Sequence, residues 1–207
     1  MSELIANIKY DRYVLLARMR TGSNLFENLL KQIKDVRALG ELFNPSFVGA
    51  SSKKPRYGIT PSERDEDPIG FLNYIDRTQA GKFYGFRLFD GHDHRVLHHV
   101  IKDTRCAKII LRRKPIEAFI SLKIAFSTNQ WLLSDAMNRR MDKIEFDQSE
   151  YQHYLEKNNA YYNDLKYKIR QSGQNYFEIS YEELLDQNIF NGLLSFCLLY
   201  TSDAADD

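Results

Sequence analysis

The sequence predicts a three-layer α/β fold in which a parallel sheet lies between layers of helices. Three short apolar runs, at residues 13–17, 83–89 and 106–111, have the length and composition of buried strands. The first and the third run are each followed by a polar turn and then by apolar residues at helical spacing. This order of elements is typical of an open parallel sheet, whose polar sites lie at the carboxyl ends of the strands.

The first helix is expected directly after the first apolar run. Residues 18–23 interrupt that run with two arginines, a glycine and two hydroxyl side chains. The side-chain oxygen of Ser23 or Asn24 is suited to cap the helix that follows, and Gly40 is a suitable residue to end it after about fifteen residues. The apolar face of this helix consists of Leu25, Phe26, Leu29, Leu30, Ile33 and Val36.

The middle of the chain contains a proline-rich stretch. Four of the five prolines lie within residues 45–68, a composition that predicts a long loop. Loops of this size are often lids or binding loops, and disorder is the open alternative. Asp67 and Pro68 then provide a cap and a first position for a helix that we expect to end at Gly81.

Two more helices and a strand complete the expected fold. Pro115 occupies the favoured first position of a helix after the third apolar run. Ser149 and Gln152 have the spacing of a capping box, and they predict the start of a long helix that ends at Gly173. Residues 175–180 then form a last strand.

The overall composition excludes several classes of protein. The chain has 207 residues, of which 43% are apolar and 28% charged, as in globular domains, and a net charge of only +1. Such a charge gives no general attraction to nucleic acid, so we expect no nucleic-acid partner. No stretch has the length of a membrane span, no signal peptide is evident, and the two cysteines form no motif. We therefore expect a cytoplasmic protein.

The turn after the first strand has the features of an anion site. A strand, a tight turn and a helix start bring backbone N–H groups and the helix dipole to one point, and Arg20 adds a full charge. The turn lacks the glycine and lysine spacing of a Walker A loop, because Gly22 is its only glycine. Residues 18–24 alone are equally compatible with a turn that binds no ligand.

A second cationic turn follows the third strand. Arg112, Arg113 and Lys114 come directly before Pro115, so three positive charges lie at a helix start. Taken alone, this segment is better explained as a solvated basic turn.

Four of the five histidines lie in residues 90–103, where Asp90 and Asp93 are further possible ligands. A metal site there is the less favoured interpretation, because an exposed turn and helix explain the same residues. We expect no metal ion.

Several separated motifs together resemble one enzyme family. Arg20-Thr21-Gly22-Ser23 resembles the 5′-phosphosulfate loop of PAPS-dependent sulfotransferases, in particular the bacterial branch that acts on carbohydrates such as trehalose and nodulation factors. Arg113, Pro115 and Ser121 match the spacing of that family's 3′-phosphate motif. Residues 40–44, Gly-Glu-Leu-Phe-Asn, resemble the Gly-Glu-x-Phe-Asn segment of the carbohydrate branch, and residues 181–184 resemble its Tyr-Glu-x-Leu segment.

The resemblance implies a P-loop-like fold and a sulfotransferase activity. PAPS would be the co-substrate, and a small-molecule or glycan hydroxyl, on a carbohydrate or glycolipid, would accept the sulfuryl group. Glu41 would be the catalytic base, with His98 or His99 as the next candidates for that role, and Arg20 would stabilise charge on the leaving group. The residues that the resemblance assigns to PAPS binding are Arg20, Thr21, Gly22, Ser23, Asn24, Arg113, Ser121 and Tyr181.

Two other interpretations stay open at this point. One is a nucleotide-kinase-like P-loop protein, although no Walker lysine follows Gly22. The other is a truncated fragment that binds PAP without catalysis, since the family continues beyond position 207 with a basic loop. In either case we expect one domain over residues 1–200 and a disordered, non-native tail at 201–207. Trp131, Tyr74 and the loop at 45–68 are candidates for the acceptor pocket.

Overall fold

The computed structural model describes residues 9–50, 56–131 and 143–198. It confirms the α/β fold: five strands form one parallel sheet in the order β2-β3-β1-β4-β5, with helices on both faces. The strands are β1 (Arg12–Ala17), β2 (Val36–Ala38), β3 (Phe83–Phe89), β4 (Cys106–Arg112) and β5 (Tyr176–Ser180). The α-helices are α1 (Ser23–Leu30), α2 (Pro61–Glu66), α3 (Pro68–Thr78), α4 (His94–Lys102), α5 (Pro115–Thr128), α6 (Gln148–Gln171) and α7 (Gln187–Leu198).

The sheet is buried because its strands present apolar side chains to both faces. Val14 of β1 is in register with Phe86 of β3 and with Lys108 of β4. Alternate residues along β1 belong to two separate apolar clusters, as the two-residue period of a strand requires. Helices α3, α4 and α6 cover one face, and α1 and α7 cover the other. The continuous apolar runs in the sequence reflect this burial on both faces.

The first helix is shorter than predicted. Helix α1 ends at Leu30 instead of continuing towards Gly40, and Val36 belongs to the edge strand β2, where it pairs with Phe83. Ile33 packs on the same apolar cluster as α1 although it lies in a turn. Apolar residues at helical spacing therefore continue past the end of the helix, which is why the sequence predicted a longer one. Pairing with β3 satisfies the backbone of β2, and this long-range contact outweighs the local helical pattern.

Several helix ends also differ from the predictions. Gly22, rather than Ser23 or Asn24, is the residue before α1, so neither of those side chains caps it. Asp147 caps α6 by accepting from the amide of Glu150, so the proposed box at 149–152 is wrong. The cap predicted at Asp67 and the first helical position predicted for Pro115 are both confirmed.

The proline-rich stretch is only partly a loop. It contains a short 3-10 helix, Arg56–Gly58, and helix α2, which Thr60 and Glu63 cap reciprocally. A second 3-10 turn, Tyr181–Glu183, follows β5. No helix in the described ranges combines the length and apolar character that crossing a bilayer requires. The tail predicted at 201–207 lies outside the described residues.

Candidate functional site

The residues predicted for the site gather around one cavity of about 780 Å³ at the carboxyl edge of the sheet. The turn after β1, the start of α1, the turn after β2, the end of β3 and helix α5 all contribute side chains. All of the predicted site residues except Thr21 line the cavity; these are Arg20, Gly22, Ser23, Asn24, Glu41, Arg113, Ser121 and Tyr181. Thr21 is buried beneath the turn, where its hydroxyl donates to the carbonyl of Arg18 at 2.9 Å.

The turn between β1 and α1 has a constrained backbone. Arg20 and Gly22 both adopt left-handed conformations, with φ of +68° and +92°. A Cβ atom at Gly22 would overlap the ring of Tyr181, so only glycine fits this position. No described side chain caps the start of α1. Its first residues, Ser23, Asn24 and Leu25, line the cavity, so the positive end of the helix dipole lies there.

The two predicted anion sites are joined by direct contacts. Arg20 Nε donates to the hydroxyl of Ser121 at 3.0 Å, and Arg113 Nη1 donates to the carbonyl oxygen of Arg20 at 3.4 Å. The guanidinium of Arg113 lies 4.4 Å from the centre of the Tyr181 ring. The sequence pattern grouped Ser121 with Arg113, whereas in the structure its hydrogen bond is to Arg20.

Positive charge is concentrated at this junction. Burial lowers the pKa of Arg20, and the nearby charge of Arg113 lowers it further. Arg113 forms an ion pair with Glu117 at 3.2 Å, one turn along α5. No ion pair joins Arg20 to a carboxylate within the described ranges, where its other partner is the carbonyl of Trp131 at 2.6 Å. An anionic ligand that contacted Arg20 would relieve the repulsion between the two arginines.

Glu41 lies in the same cavity because β2 returns the chain to the carboxyl edge. Gly40 has a φ of +78° and the amide of Arg87 donates to its carbonyl at 2.8 Å. Glu41 then forms an antiparallel bridge with Gly49, with N···O distances of 2.8 and 2.9 Å. A straight helix as long as predicted would have carried Glu41 about 22 Å away from the anion site. The short α1 and the return through β2 remove that difficulty.

Arg87 is a site residue that the sequence reasoning missed. It lies on β3, lines the cavity, and contacts two carboxylates: Glu27 at 3.3 Å and Glu41 at 3.4 Å. Its Nη1 also donates to Asn24 Oδ1 at 2.7 Å and to Ser23 Oγ at 3.2 Å. The sequence did contain a signal for Arg87, since it is the one charged residue in an otherwise apolar strand. A buried charge requires polar partners, and these are often other residues of a site.

Three of the histidines clustered in the sequence lie at two different places. His92 lies beside Glu41, with its Nε2 3.7 Å from Oε2 of that carboxylate. Its Nδ1 accepts from the amide of Phe89 at 3.1 Å, which places the proton of the neutral ring on Nε2. Burial, together with the charges of Arg64 and Arg87, lowers the pKa of His92 from 6.5 to about 4.

His98 and His99, the substitutes considered for Glu41 as a base, line a different cavity of about 930 Å³. That cavity lies at the amino edge of the sheet, beside Arg12 at the start of β1. Neither residue is therefore placed to replace Glu41 as the base. Within residues 9–50, 56–131 and 143–198, no group of three or more acidic, histidine or cysteine residues is arranged to hold a metal ion.

The remaining wall of the carboxyl-edge cavity is mainly apolar. Trp131 and Phe47, the latter from the proline-rich stretch, line it as expected for acceptor-pocket candidates. Tyr74 does not line it; its exposed ring instead stacks on the buried ring of Phe71 in the same helix, α3. Apolar contacts along this wall also come from Met19, Leu25, Phe89, Ile120, Ile124 and Ala125.

Comparison with known proteins adds no family assignment. No protein-family model matches the chain, and no curated protein matches it closely enough to be considered a relative.

Proposed function

We propose that this protein is a PAPS-dependent sulfotransferase that transfers a sulfuryl group to a hydroxyl of a carbohydrate or glycolipid. One observation carries the proposal: two cationic helix starts and a carboxylate line the same cavity. The four separated motifs that resemble this family all contribute residues to this cavity. A shared edge is expected of any turns that follow parallel strands, and the support comes from the residue types that meet there: two arginines, a helix start and a carboxylate. A cytoplasmic location is part of the proposal.

The cations of the cavity match the two anionic ends of PAPS. Arg20 and the start of α1 would bind the 5′-phosphosulfate, and Arg113 at the start of α5 would bind the 3′-phosphate. Tyr181 lies between these groups, in contact with Arg113 and next to Gly22. A volume of about 780 Å³ is within the usual range of small-molecule sites.

Glu41 would act as the general base. As the acceptor oxygen forms its bond to sulfur, the bond between sulfur and the bridging oxygen of the 5′-phosphate breaks, and PAP leaves. The acceptor's hydroxyl proton passes to the Glu41 carboxylate, which faces the cavity. Arg20 and the dipole of α1 stabilise the negative charge that develops on the leaving phosphate. In this proposal the fixed charge of Arg20 supplies the neutralisation and no metal ion takes part.

The alternative of a nucleotide kinase makes different demands on the anion loop. A kinase of the P-loop class uses a lysine and a magnesium-binding hydroxyl directly after the last loop glycine. Here Gly22 is followed by Ser23 and Asn24, and both side chains accept hydrogen bonds from Arg87. This loop therefore favours sulfuryl transfer over phosphoryl transfer, and ligand binding separates the two activities.

The first experiment compares ligands by calorimetry and then measures transfer. The protein should bind PAP at least tenfold more tightly than AMP, because only PAP presents a phosphate to Arg113. Transfer of radioactive sulfur from labelled PAPS to a panel of glycans should then identify the acceptor. Equal affinity for PAP and AMP would overturn the nucleotide assignment, and binding of MgATP but not PAP would favour a kinase. Tight PAP binding without transfer to any hydroxyl acceptor would indicate a non-catalytic PAP-binding protein.

A further inference from the structure

Arg87 links Glu41 to the anion loop. Its guanidinium contacts the Glu41 carboxylate at Oε1 and donates to the side chains of Ser23 and Asn24 at the start of α1. The side chain of Arg87 is only 10% exposed. A rigid fork of donors that touches both groups fixes the separation between them, so Arg87 sets where the base lies relative to a ligand on the loop.

Glu27 is a second carboxylate on the same arginine. Its side chain is only 4% exposed, and its Oε1 lies 3.3 Å from Nε of Arg87. Glu27 does not line the cavity, so it is not placed to exchange protons with an acceptor. It also accepts from the amide of Gly40 at 3.1 Å, directly before Glu41. Glu27 therefore holds both the arginine and the turn that carries the base.

We propose that Glu27 and Arg87 are positioning residues for Glu41, and that Glu27 is the counter-ion that keeps Arg87 paired throughout the reaction. This inference rests on the proposed function. When Glu41 takes the acceptor's proton it loses its charge, and a lone buried guanidinium would then be costly. Because Glu27 remains beside it, Arg87 keeps an ionic partner in both states of Glu41.

The other groups around Glu41 complete its orientation. Asn44 Nδ2 donates to Oε2 at 2.7 Å, and His92 Nε2 faces the same oxygen at 3.7 Å. Arg87 thus contacts one carboxylate oxygen while Asn44 holds the other, with His92 packed beside it. A base fixed at both oxygens reaches the reacting hydroxyl without reorganisation, and small displacements of such a group reduce the rate strongly.

The first test is a double-mutant cycle, in which kcat is measured for the parent, Arg87→Met, Glu41→Gln and the double variant. Arg87→Met should lower kcat roughly 100-fold, whereas the acceptor KM should change only a few-fold. In the Glu41→Gln background the same change should lower kcat by less than about tenfold, because the residue that Arg87 positions is already inactive and only the contacts to Ser23 and Asn24 are lost. Losses that multiply in the double variant would overturn the positioning role. Arg87→Lys, which keeps the charge, should recover part of the rate.

Glu27→Gln provides the second test. It should lower kcat roughly tenfold without altering the affinity for PAP, since Glu27 does not touch the cavity. An unchanged kcat would overturn the role of Glu27. If Arg87→Met does not fold because Glu27 is left without its cation, the combined variant Glu27→Gln/Arg87→Met keeps the interior neutral and replaces it in the cycle.

A measurement without turnover separates this inference from the proposed function. The fall in Tm of the double variant Arg87→Met/Glu41→Gln should be several degrees smaller than the sum of the two single falls. Additive falls would overturn the coupling between the two residues. A parent protein that transfers no sulfuryl group would overturn the proposed function alone, and the Tm cycle would still decide whether Arg87 holds Glu41.

Discussion

The two edges of the parallel sheet both carry large cavities, but their charges are arranged differently. At the amino edge, Arg12 is paired with Asp76 and Asp103, and Tyr84 donates to Asp76. At the carboxyl edge, Arg20 has hydroxyl and carbonyl partners within the described ranges, and it lies beside a second arginine, Arg113. The cavity of the amino edge is the larger, at about 930 Å³ against 780 Å³.

Helix polarity strengthens the same contrast. Helices α1 and α5 begin at the carboxyl edge, so their positive dipole ends face that cavity. Helices α3 and α4 end beside the amino-edge cavity. Volume alone favours the amino-edge cavity, whereas the adjacent arginines and the direction of the helices favour the carboxyl edge as the candidate site for an anionic ligand. The amino-edge charges are better explained as an ion-pair network that joins α3 and α4 to β1.

Glu41→Gln should give the largest effect on turnover, because Glu41 is the proposed base at the carboxyl edge. Loss of a general base lowers turnover by roughly 10²–10⁴-fold, and PAP affinity should stay nearly unchanged, because Glu41 faces the acceptor's proton. Steady-state kinetics and PAP calorimetry provide the two measurements. His98→Ala and His99→Ala are the controls at the amino edge and should turn over within a few-fold of the parent. If Glu41→Gln kept full turnover while either control lost it, the assignment of the two edges would be reversed.

Arg12→Met tests the structural role of the amino edge. Removing the cation from a fully buried ion pair costs about 3–5 kcal/mol in the free energy of unfolding. Asp76 and Asp103 are only partly buried, so we expect a loss at or below the lower end of that range when they lose their partner. Urea unfolding measures this loss, and the ratio of PAP to AMP affinity should not change. The triple variant with Asp76→Asn and Asp103→Asn should regain much of the stability. A changed nucleotide ratio in Arg12→Met would show that the amino edge takes part in binding.

His92→Asn tests the buried histidine beside Glu41. Its pKa is lowered from 6.5 to about 4, so below pH 6.5 the unfolded chain binds a proton that the folded protein does not. Stability therefore falls as the pH drops from 6.5 towards 4, by about 3 kcal/mol in total for this group. The variant should lack that part of the fall in a series of urea unfolding curves, and asparagine keeps an acceptor for the Phe89 amide. Identical pH profiles for variant and parent would contradict the burial of a neutral His92.

Arg113→Ala has the smallest expected effect and separates the two anion sites within the carboxyl edge. It should reduce the preference for PAP over AMP by roughly 10- to 100-fold, since a charged hydrogen bond contributes about 1.5–3 kcal/mol. Its affinity for AMP should change little, and calorimetry measures both ligands. Lys114→Ala, next along the chain, is the matched control and should keep the preference. An equal loss of affinity for both nucleotides would indicate that Arg113 binds the 5′-phosphate, which PAP and AMP share.

The amino-acid sequence alone determined the buried strands β1, β3 and β4 and the helix starts at Pro68 and Pro115. Each depends on contacts within a few residues: an apolar run, a proline at the first position, or a capping aspartate. The turn at residues 20–24 and the motif at 113–121 were also local patterns, so they could be recognised without coordinates. Their convergence followed from one general rule, that parallel strands end at the same edge.

Only the tertiary structure decided how those motifs are completed. Strand β2 has three residues and exists because β3 pairs with it, and this pairing brings Glu41 back to the cavity. Arg87 becomes a site residue through contacts with Glu27 and Glu41, which lie 60 and 46 positions away in the sequence. Likewise, His92 rather than His98 faces Glu41 because α4 begins between them and leads the chain away. Such contacts depend on the packing of distant elements, and no local period or spacing encodes them.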